Sequence, residues 1–147
     1  MNPIIVSACL LGEPCRYDGN AVPYAELVEL AQSVPVLPLC PECLGGLSIP
    51  RTPCEIALSG RVVDARGEDR TEAYFTGAQI TVEIAREFGC TMAILKSKSP
   101  SCGVHQVYDG SFSGVLVDGR GIAAAALQSA GVEVFDEEDF KAGNVQF

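Results

Sequence analysis

"PIIVSACL", residues 3–10, is an uncharged apolar run of the length of a β-strand. The next segment, "LGEPCRYDGNAVP" (residues 11–23), is marked as a loop by its glycines and prolines. We therefore predict a buried strand over residues 3–8. Cys9, the first of seven cysteines, directly follows the end of this strand.

Apolar runs and helical patterns alternate along the rest of the chain. "PYAELVELAQS" (23–33) predicts a helix with Pro23 at its first position, and the two prolines of "VPVLPLC" (34–40) indicate an edge strand. "TMAILKS" (91–97) and "VEVF" (132–135) predict further strands. "GIAAAALQSAG" (121–131) predicts a helix, and "DEEDF" (136–140) the start of a short one.

The middle of the chain combines turns with one long helix. "ALSGRVVDARGED" (57–69) predicts a hairpin around Ser59 and Gly60, and "HQVYDGSFSGVLVDG" (105–119) a second turn-rich excursion. Asp69 and Glu72 resemble a capping box at the start of a helix that stops at Gly89. We expect one face of this helix to carry Ala73, Gly77, Ile80, Ile84 and Phe88.

Strands that alternate with amphipathic helices are typical of a parallel sheet covered by helices. The 147 residues have the size of one domain. We predict an α/β fold in a single domain, residues 1–147, with loop and hairpin insertions. The insertion "PECLGGLSIPRTPCEI" (41–56) has no periodicity, and we interpret it as a functional loop without a helix.

The charge and the cysteine content limit the function. Ten basic residues stand against nineteen acidic ones, and the net charge of -9 disfavours binding to intact nucleic acid. No segment reaches the roughly 18 apolar residues of a membrane span, and the N-terminus lacks the basic start of a signal peptide. Seven cysteines are too few for a secreted disulfide scaffold. We expect a cytoplasmic protein without a membrane partner; a monomer is possible, but the sequence leaves the oligomeric state open.

Three cysteines follow predicted strands. Cys9, Cys40 and Cys102 come after the first, second and third strand. Because the carboxyl ends of parallel strands meet at one edge of the sheet, these thiols should converge there. Cys15, Cys43 and Cys54 lie in loops and Cys90 beside a helix stop, where a plain packing role is the simpler interpretation.

Two other sites can be drawn from the same cysteines. Cys40-Pro-Glu-Cys43 could be a redox pair, but we expect no helix there to stabilise its thiolate. Cys40 and Cys43 with Cys102-Gly-Val-His105 could bind zinc. The two pairs are, however, much farther apart in the sequence than the halves of a zinc finger, and Cys9 is left without a role. For His105 we prefer a solvated or backbone-bonded loop side chain. A tricysteine iron–sulfur site, with one iron open to substrate, would use all three strand-end thiols.

Three blocks of the sequence resemble the thiouracil desulfidase family. They are "VSACLLGEPCRYDG" (6–19), "CPECLGGLSIPRTPCEI" (40–56) and "ILKSKSPSCG" (94–103). The resemblance implies a Rossmann-like domain that holds a [4Fe-4S] cluster and removes sulfur from small thiopyrimidines of the 2- or 4-thiouracil type. By motif position, the cluster ligands are Cys9, Cys40 and Cys102.

The resemblance also implies two catalytic groups. Glu42 matches the acid/base carboxylate of the family, and Ser101 the second catalytic group, with Ser99 as the alternative. The chain has additional thiols, and Cys43 is close enough to Cys40 to compete as a ligand. A non-catalytic metal-binding or sulfur-carrier module is the alternative function. A nucleotide-binding domain would need a G-x-G-x-x-G or Walker loop, which the sequence lacks.

The segment around Tyr17 and the side chain of Arg51 each have two possible interpretations. Arg16 and Tyr17 could line the pocket, with Tyr17 stacked on a base, while Asp18 and Gly19 favour a turn. Arg51 could anchor a carboxylate or phosphate of the ligand, or it could form a structural ion pair across the loop.

Overall fold

The computed structural model describes residues 2–146, and these contain eight short strands and five α-helices. The strands are β1 (Ile4–Ser7), β2 (Val36–Leu39), β3 (Cys54–Ile56), β4 (Val62–Asp64), β5 (Met92–Leu95), β6 (Gln106–Tyr108), β7 (Leu116–Asp118) and β8 (Glu133–Asp136). The helices are α1 (Ala25–Leu30), α2 (Pro41–Leu44), α3 (Thr71–Phe88), α4 (Ile122–Ser129) and α5 (Glu137–Lys141). A single 3₁₀ turn, Ala8–Leu11, directly follows β1.

A four-stranded parallel sheet forms the centre of the fold, with strand order β2-β1-β5-β8. Ile5 of β1 is paired with Leu37 on one side and with Ala93 on the other. All four residues of β1 are buried, as expected for a central strand whose two faces are both covered. The predicted α/β fold and parallel sheet are confirmed.

Two apolar clusters cover the two faces of the sheet. Ile5 and Leu95 belong to a cluster with residues of α3 and α4. Ile4 and Val6 belong to the other cluster, which includes residues of α1 and α5. Neighbouring residues of a strand point to opposite faces, so one uncharged run contributes to both clusters.

The strand β2 lies at one edge of the sheet, as its prolines predict. Pro38 is exposed and aligned with Val6 of β1. The hairpin prediction is also confirmed, because β3 and β4 pair antiparallel with Ile56 opposite Val62. The second turn-rich segment, residues 105–119, is also a hairpin, formed by β6 and β7.

Three predictions about where helices begin were wrong. The first helix begins at Ala25, two residues beyond Pro23, because Tyr24 has an extended backbone. A four-residue helix, α2, follows Cys40, although we expected none; Pro41 takes its first position. Asp69 and Glu72 form no capping box, since Asp69 instead accepts the N–H of Thr71 at 2.9 Å.

The buried face of α3 differs from the predicted one. Gly77 is buried as expected, but Ile80 and Ile84 are half-buried and Phe88 is 48% exposed. Tyr74 and four residues smaller than isoleucine occupy the buried face instead, namely Ala78, Thr81, Val82 and Ala85. The reason is that α3 packs against both α2 and α4, and close helix contacts select for size rather than for hydrophobicity alone. Gly89 ends the helix in the left-handed conformation, as predicted.

Two glycines permit the close contact of α2 with α3. A Cβ on Gly45 would overlap the carbonyl oxygen of Ala73. A Cβ on Gly77 would overlap the carbonyl oxygen of Pro41. The contact is thus reciprocal, and it fixes α2, which begins next to Cys40, on the body of the domain. None of the helices within residues 2–146 has the length and apolar character of a membrane span.

We predict that Gly77→Ala destabilises the protein by about 1–3 kcal/mol, because the new methyl group would overpack the helix contact. At an open helical position the same change would stabilise by roughly 1 kcal/mol. Urea denaturation gives the free energy of unfolding. Gln79→Ala on the exposed side of α3 is the control and should change it by less than about 0.5 kcal/mol. A Gly77→Ala protein as stable as the original would contradict the close contact.

Candidate functional site

One cavity of about 450 Å³ lies where β1, β2 and β5 end. Cys9, Cys40 and Cys102 all line it, so the structure brings the three strand-end thiols together. Their role as cluster ligands stays a prediction. The position agrees with the general rule that open α/β sheets bind ligands beyond the carboxyl ends of their strands.

Each of the three thiols is placed by a different local structure. Cys9 lies in the 3₁₀ turn that follows β1, and Cys40 is the residue that precedes α2. Cys102 follows β5 in a tight turn, where its N–H donates to Ser99 Oγ at 3.1 Å. Cys9 and Cys102 are only 8% and 5% exposed, and both still reach the cavity.

The surroundings of Cys102 and Cys40 raise the pKa of both thiols. Burial raises the pKa of Cys102 to about 12, while hydrogen bonds with Ser101 and Ser7 act in the opposite direction. The pKa of Cys40 is raised far above its ordinary value, mainly by a hydrogen bond with the thiol of Cys15 and then by burial. A metal that binds Cys40 and Cys102 as thiolates must therefore displace their protons.

Cys15 is a further thiol of the cavity that sequence reasoning missed. Its side chain lies within hydrogen-bonding reach of Cys40 and Cys9. The bond with Cys40 lowers its pKa, but the bond with Cys9 and burial outweigh this and raise the pKa to about 11. A signal was available, since Cys15 is only six positions after Cys9 in a loop that must leave the same strand end.

The thiols suit an iron–sulfur cluster better than a single metal ion. Around one tetrahedral zinc, with bonds of about 2.3 Å, the ligand sulfurs would lie about 4 Å apart. Among residues 2–146, no three cysteine sulfurs lie within 4.8 Å of one another. A cluster binds each thiolate at a different iron and so accommodates a wider spacing.

Glu42 lies in the same cavity, and both of its carboxylate oxygens are bonded. Oε2 accepts from Arg51 Nε at 2.9 Å and from a second guanidinium nitrogen of Arg51 at 2.5 Å. Oε1 accepts from Ser101 Oγ at 2.8 Å and from Ser99 Oγ at 3.4 Å. The carboxylate is thereby fixed beside the thiols in one orientation.

Arg51 forms the structural ion pair that was one of its two interpretations. Besides Glu42, its guanidinium donates to the carbonyl oxygens of Cys15 at 3.1 Å and Ser48 at 3.2 Å. The side chains of Arg51 and Glu42 are 7% and 12% exposed. A pair this deeply buried needs such additional hydrogen bonds to offset its lost hydration.

The structure does not bring all four proposed zinc ligands together. The thiol of Cys43 is hydrogen-bonded to that of Cys40 but does not line the cavity, and His105 lies apart from the thiols. The side chain of His105 is 61% exposed, with Nε2 2.8 Å from a carboxylate oxygen of Asp139. Asp139 also forms the capping box of α5 with Asp136. Helix capping therefore explains why His105, Asp136 and Asp139 lie close together.

The segment around Tyr17 both lines the cavity and forms a turn. Arg16 and Tyr17 line the cavity, and the Arg16 guanidinium lies 5.6 Å from the centre of the Tyr17 ring. Asp18 and Gly19 form a turn, in which Gly19 N–H donates to the Arg16 carbonyl oxygen at 2.9 Å.

Comparison with known proteins gives consistent matches over nearly the whole chain. The family model of 2-thiouracil desulfurase matches residues 4–139. The uncharacterized protein YbbK of Bacillus subtilis (strain 168) is 41% identical over 145 residues, and the match covers 92% of this chain and 96% of YbbK. The solved structure of the [4Fe-4S]-dependent thiouracil desulfidase TudS is similar with a TM-score of 0.90 and 39% identity, over 97% of this chain and 95% of TudS.

Two arginine–carboxylate pairs provide a matched test of the buried network. We predict that Arg51→Ala lowers the free energy of unfolding by about 3–5 kcal/mol, because it leaves Glu42 buried without its counter-charge. Arg61→Ala removes the exposed pair with Asp69, whose side chains are 61% and 42% exposed, and should cost less than about 1 kcal/mol. Urea denaturation measures both values. Equal losses in the two variants would show that the Arg51 pair is not buried as described.

Proposed function

Because this chain belongs to the 2-thiouracil desulfurase family, we propose that it is an enzyme that removes sulfur from thiolated pyrimidines such as 2- or 4-thiouracil. The products are uracil and sulfide. The observation that carries the proposal is that one cavity contains both the strand-end thiols and a fixed carboxylate. A sulfur carrier would need the thiols but not the carboxylate.

Cys9, Cys40 and Cys102 would hold a [4Fe-4S] cluster. Four irons with three protein thiolates leave one iron without a protein ligand, as catalytic metal sites keep one position open. When bound, the cluster supplies a thiophilic Lewis acid that attracts and polarises the thiocarbonyl sulfur.

Glu42 would act as the general base and acid. Arg51 holds Oε2, so Oε1 is the oxygen that exchanges protons. It takes a proton from the water that attacks the thiocarbonyl carbon, and it returns the proton to the departing sulfur. The water oxygen forms the new bond to carbon, the C–S bond breaks, and both protons of the water leave with the sulfur as hydrogen sulfide. No electrons are gained or lost overall.

Ser101 would position the reacting groups. Its hydroxyl lies between the carboxylate and a ligand thiol, 2.8 Å from Glu42 Oε1 and 3.5 Å from Cys102 Sγ. Ser99 Oγ lies 3.1 Å from Ser101 Oγ. It also accepts the backbone N–H groups of Ser101 and Cys102, and these two bonds hold the turn. The shorter bond favours Ser101 as the catalytic serine, with Ser99 in a supporting position.

We predict that protein purified without oxygen contains about four iron and four acid-labile sulfide per chain and releases sulfide from 4-thiouracil. Cys9→Ser, Cys40→Ser and Cys102→Ser should each abolish iron binding and activity. Cys90→Ser, at a core cysteine outside the cavity, is the matched control and should retain both. Retention of iron by Cys9→Ser with its loss in Cys15→Ser would replace Cys9 by Cys15 in the ligand set. A protein that binds iron but releases no sulfide would contradict the desulfidase function.

Glu42→Gln should retain the cluster and lose about 10²–10⁴-fold in kcat, because the amide cannot exchange the proton. Ser101→Ala should lower kcat more than Ser99→Ala. The measurements are iron content and the rate of sulfide release. If Glu42→Gln kept its full rate, Glu42 could not be the acid/base group, whatever the outcome at the serines.

A further inference from the structure

We propose that the ring of Phe112 is a stacking surface for the pyrimidine substrate, and that Glu55 is the positioning residue that holds it at the cavity. The inference rests on the proposed function for the identity of the substrate. It adds a residue on the β6–β7 hairpin, outside the three sequence blocks that contain the thiols and the carboxylate.

Phe112 borders the cavity without belonging to the core. It lines the cavity together with Tyr108 and Gly114 of the same hairpin. It is 39% exposed, and none of the three apolar clusters in residues 2–146 includes it. The ring therefore contributes little to folding where it lies, although exposing it to water is unfavourable.

The backbone of Phe112 has an uncommon conformation. Two non-glycine residues between positions 2 and 146 have positive φ angles, Lys98 at 68° and Phe112 at 57°. Both line this one cavity. A bulky side chain rarely adopts the left-handed region, and such residues are concentrated at functional sites.

Glu55 of β3 holds the turn in this conformation. One of its carboxylate oxygens accepts the N–H of Gly110 at 3.0 Å and the N–H of Phe112 at 3.2 Å. A side chain at Gly110 would come within 2.7 Å of the Ile56 carbonyl oxygen, so the turn lies directly on the first hairpin. The N–H of Asp109 donates to the Val115 carbonyl oxygen at 2.9 Å and closes the turn.

Among the aromatic residues that line the cavity, Tyr74 is buried and Tyr108 is half-buried, whereas Tyr17 and Phe112 are exposed. The thiols, Glu42 and Ser101 can bind the polar edge of a flat pyrimidine, whereas its faces need an apolar surface. Base–aromatic stacking is worth about 1–3 kcal/mol per base. The Tyr17 ring already contacts the Arg16 guanidinium, while no aromatic or cationic side chain in residues 2–146 stacks on Phe112.

The first test compares substitutions at position 112 in the cluster-loaded enzyme. Phe112→Ala should raise the KM for 4-thiouracil about tenfold with kcat within about twofold, because stacking is equally strong before and during the reaction. Phe112→Tyr should restore the original KM. Phe88→Ala, at another exposed phenylalanine outside the cavity, is the control and should change neither constant. An unchanged KM in Phe112→Ala would overturn the proposal.

The second test separates positioning from general stability. Glu55→Ala should raise KM as Phe112→Ala does, and the double variant should be no worse than either single one, because both remove the same surface. Glu55→Gln keeps an oxygen acceptor for the two N–H groups and should retain most of the affinity. Additive losses in the double variant would show that Glu55 does not act through Phe112.

The third test does not depend on turnover. The chain has no tryptophan, so Phe112→Trp introduces a single fluorescent reporter at the cavity. Uracil should change its emission in a saturable manner, and Phe88→Trp should not respond. If the original enzyme releases no sulfide but the reporter responds, the desulfidase function is wrong and the stacking surface stands. If sulfide is released and the reporter stays silent, the stacking surface is wrong.

Discussion

The carboxylate of Glu42 connects the chain segments that build the cavity. It accepts from Arg51 on one side and from Ser101 on the other, and Arg51 in turn holds the backbone of the loop that contains Cys15. A buried charge tolerates the loss of a partner poorly, so these segments cannot separate without a large penalty. The requirement to satisfy one carboxylate thereby enforces the arrangement of the thiols around it.

The position of that carboxylate depends on helix packing. Glu42 lies in a helix of four residues, which is too short to be stable alone. Contact between Gly45 and Gly77 places this helix against α3, and α3 packs in turn on the sheet. Glycine at two positions is therefore a condition for the chemistry, although neither residue lines the cavity.

The sequence predicted the parallel sheet and the convergence of Cys9, Cys40 and Cys102, because apolar runs mark the strand ends and the carboxyl ends of parallel strands lie at one edge of a sheet. It did not predict α2, since a single helical turn has no periodicity to detect. It placed the wrong face of α3 in the core, because contact with two helices favours small side chains over large apolar ones. Cys15 and Phe112 were missed, because long-range bonds to Arg51 and Glu55 position their loops.

The edge of the sheet has a consequence for the behaviour of the protein in crowded solution. An open strand edge offers a row of unpaired donors and acceptors to any other chain. In β2 this row is interrupted at Pro38, which is exposed and has no N–H to give. A second sheet that approached this side could not continue the ladder, so the proline protects the edge nearest Cys40 from aggregation.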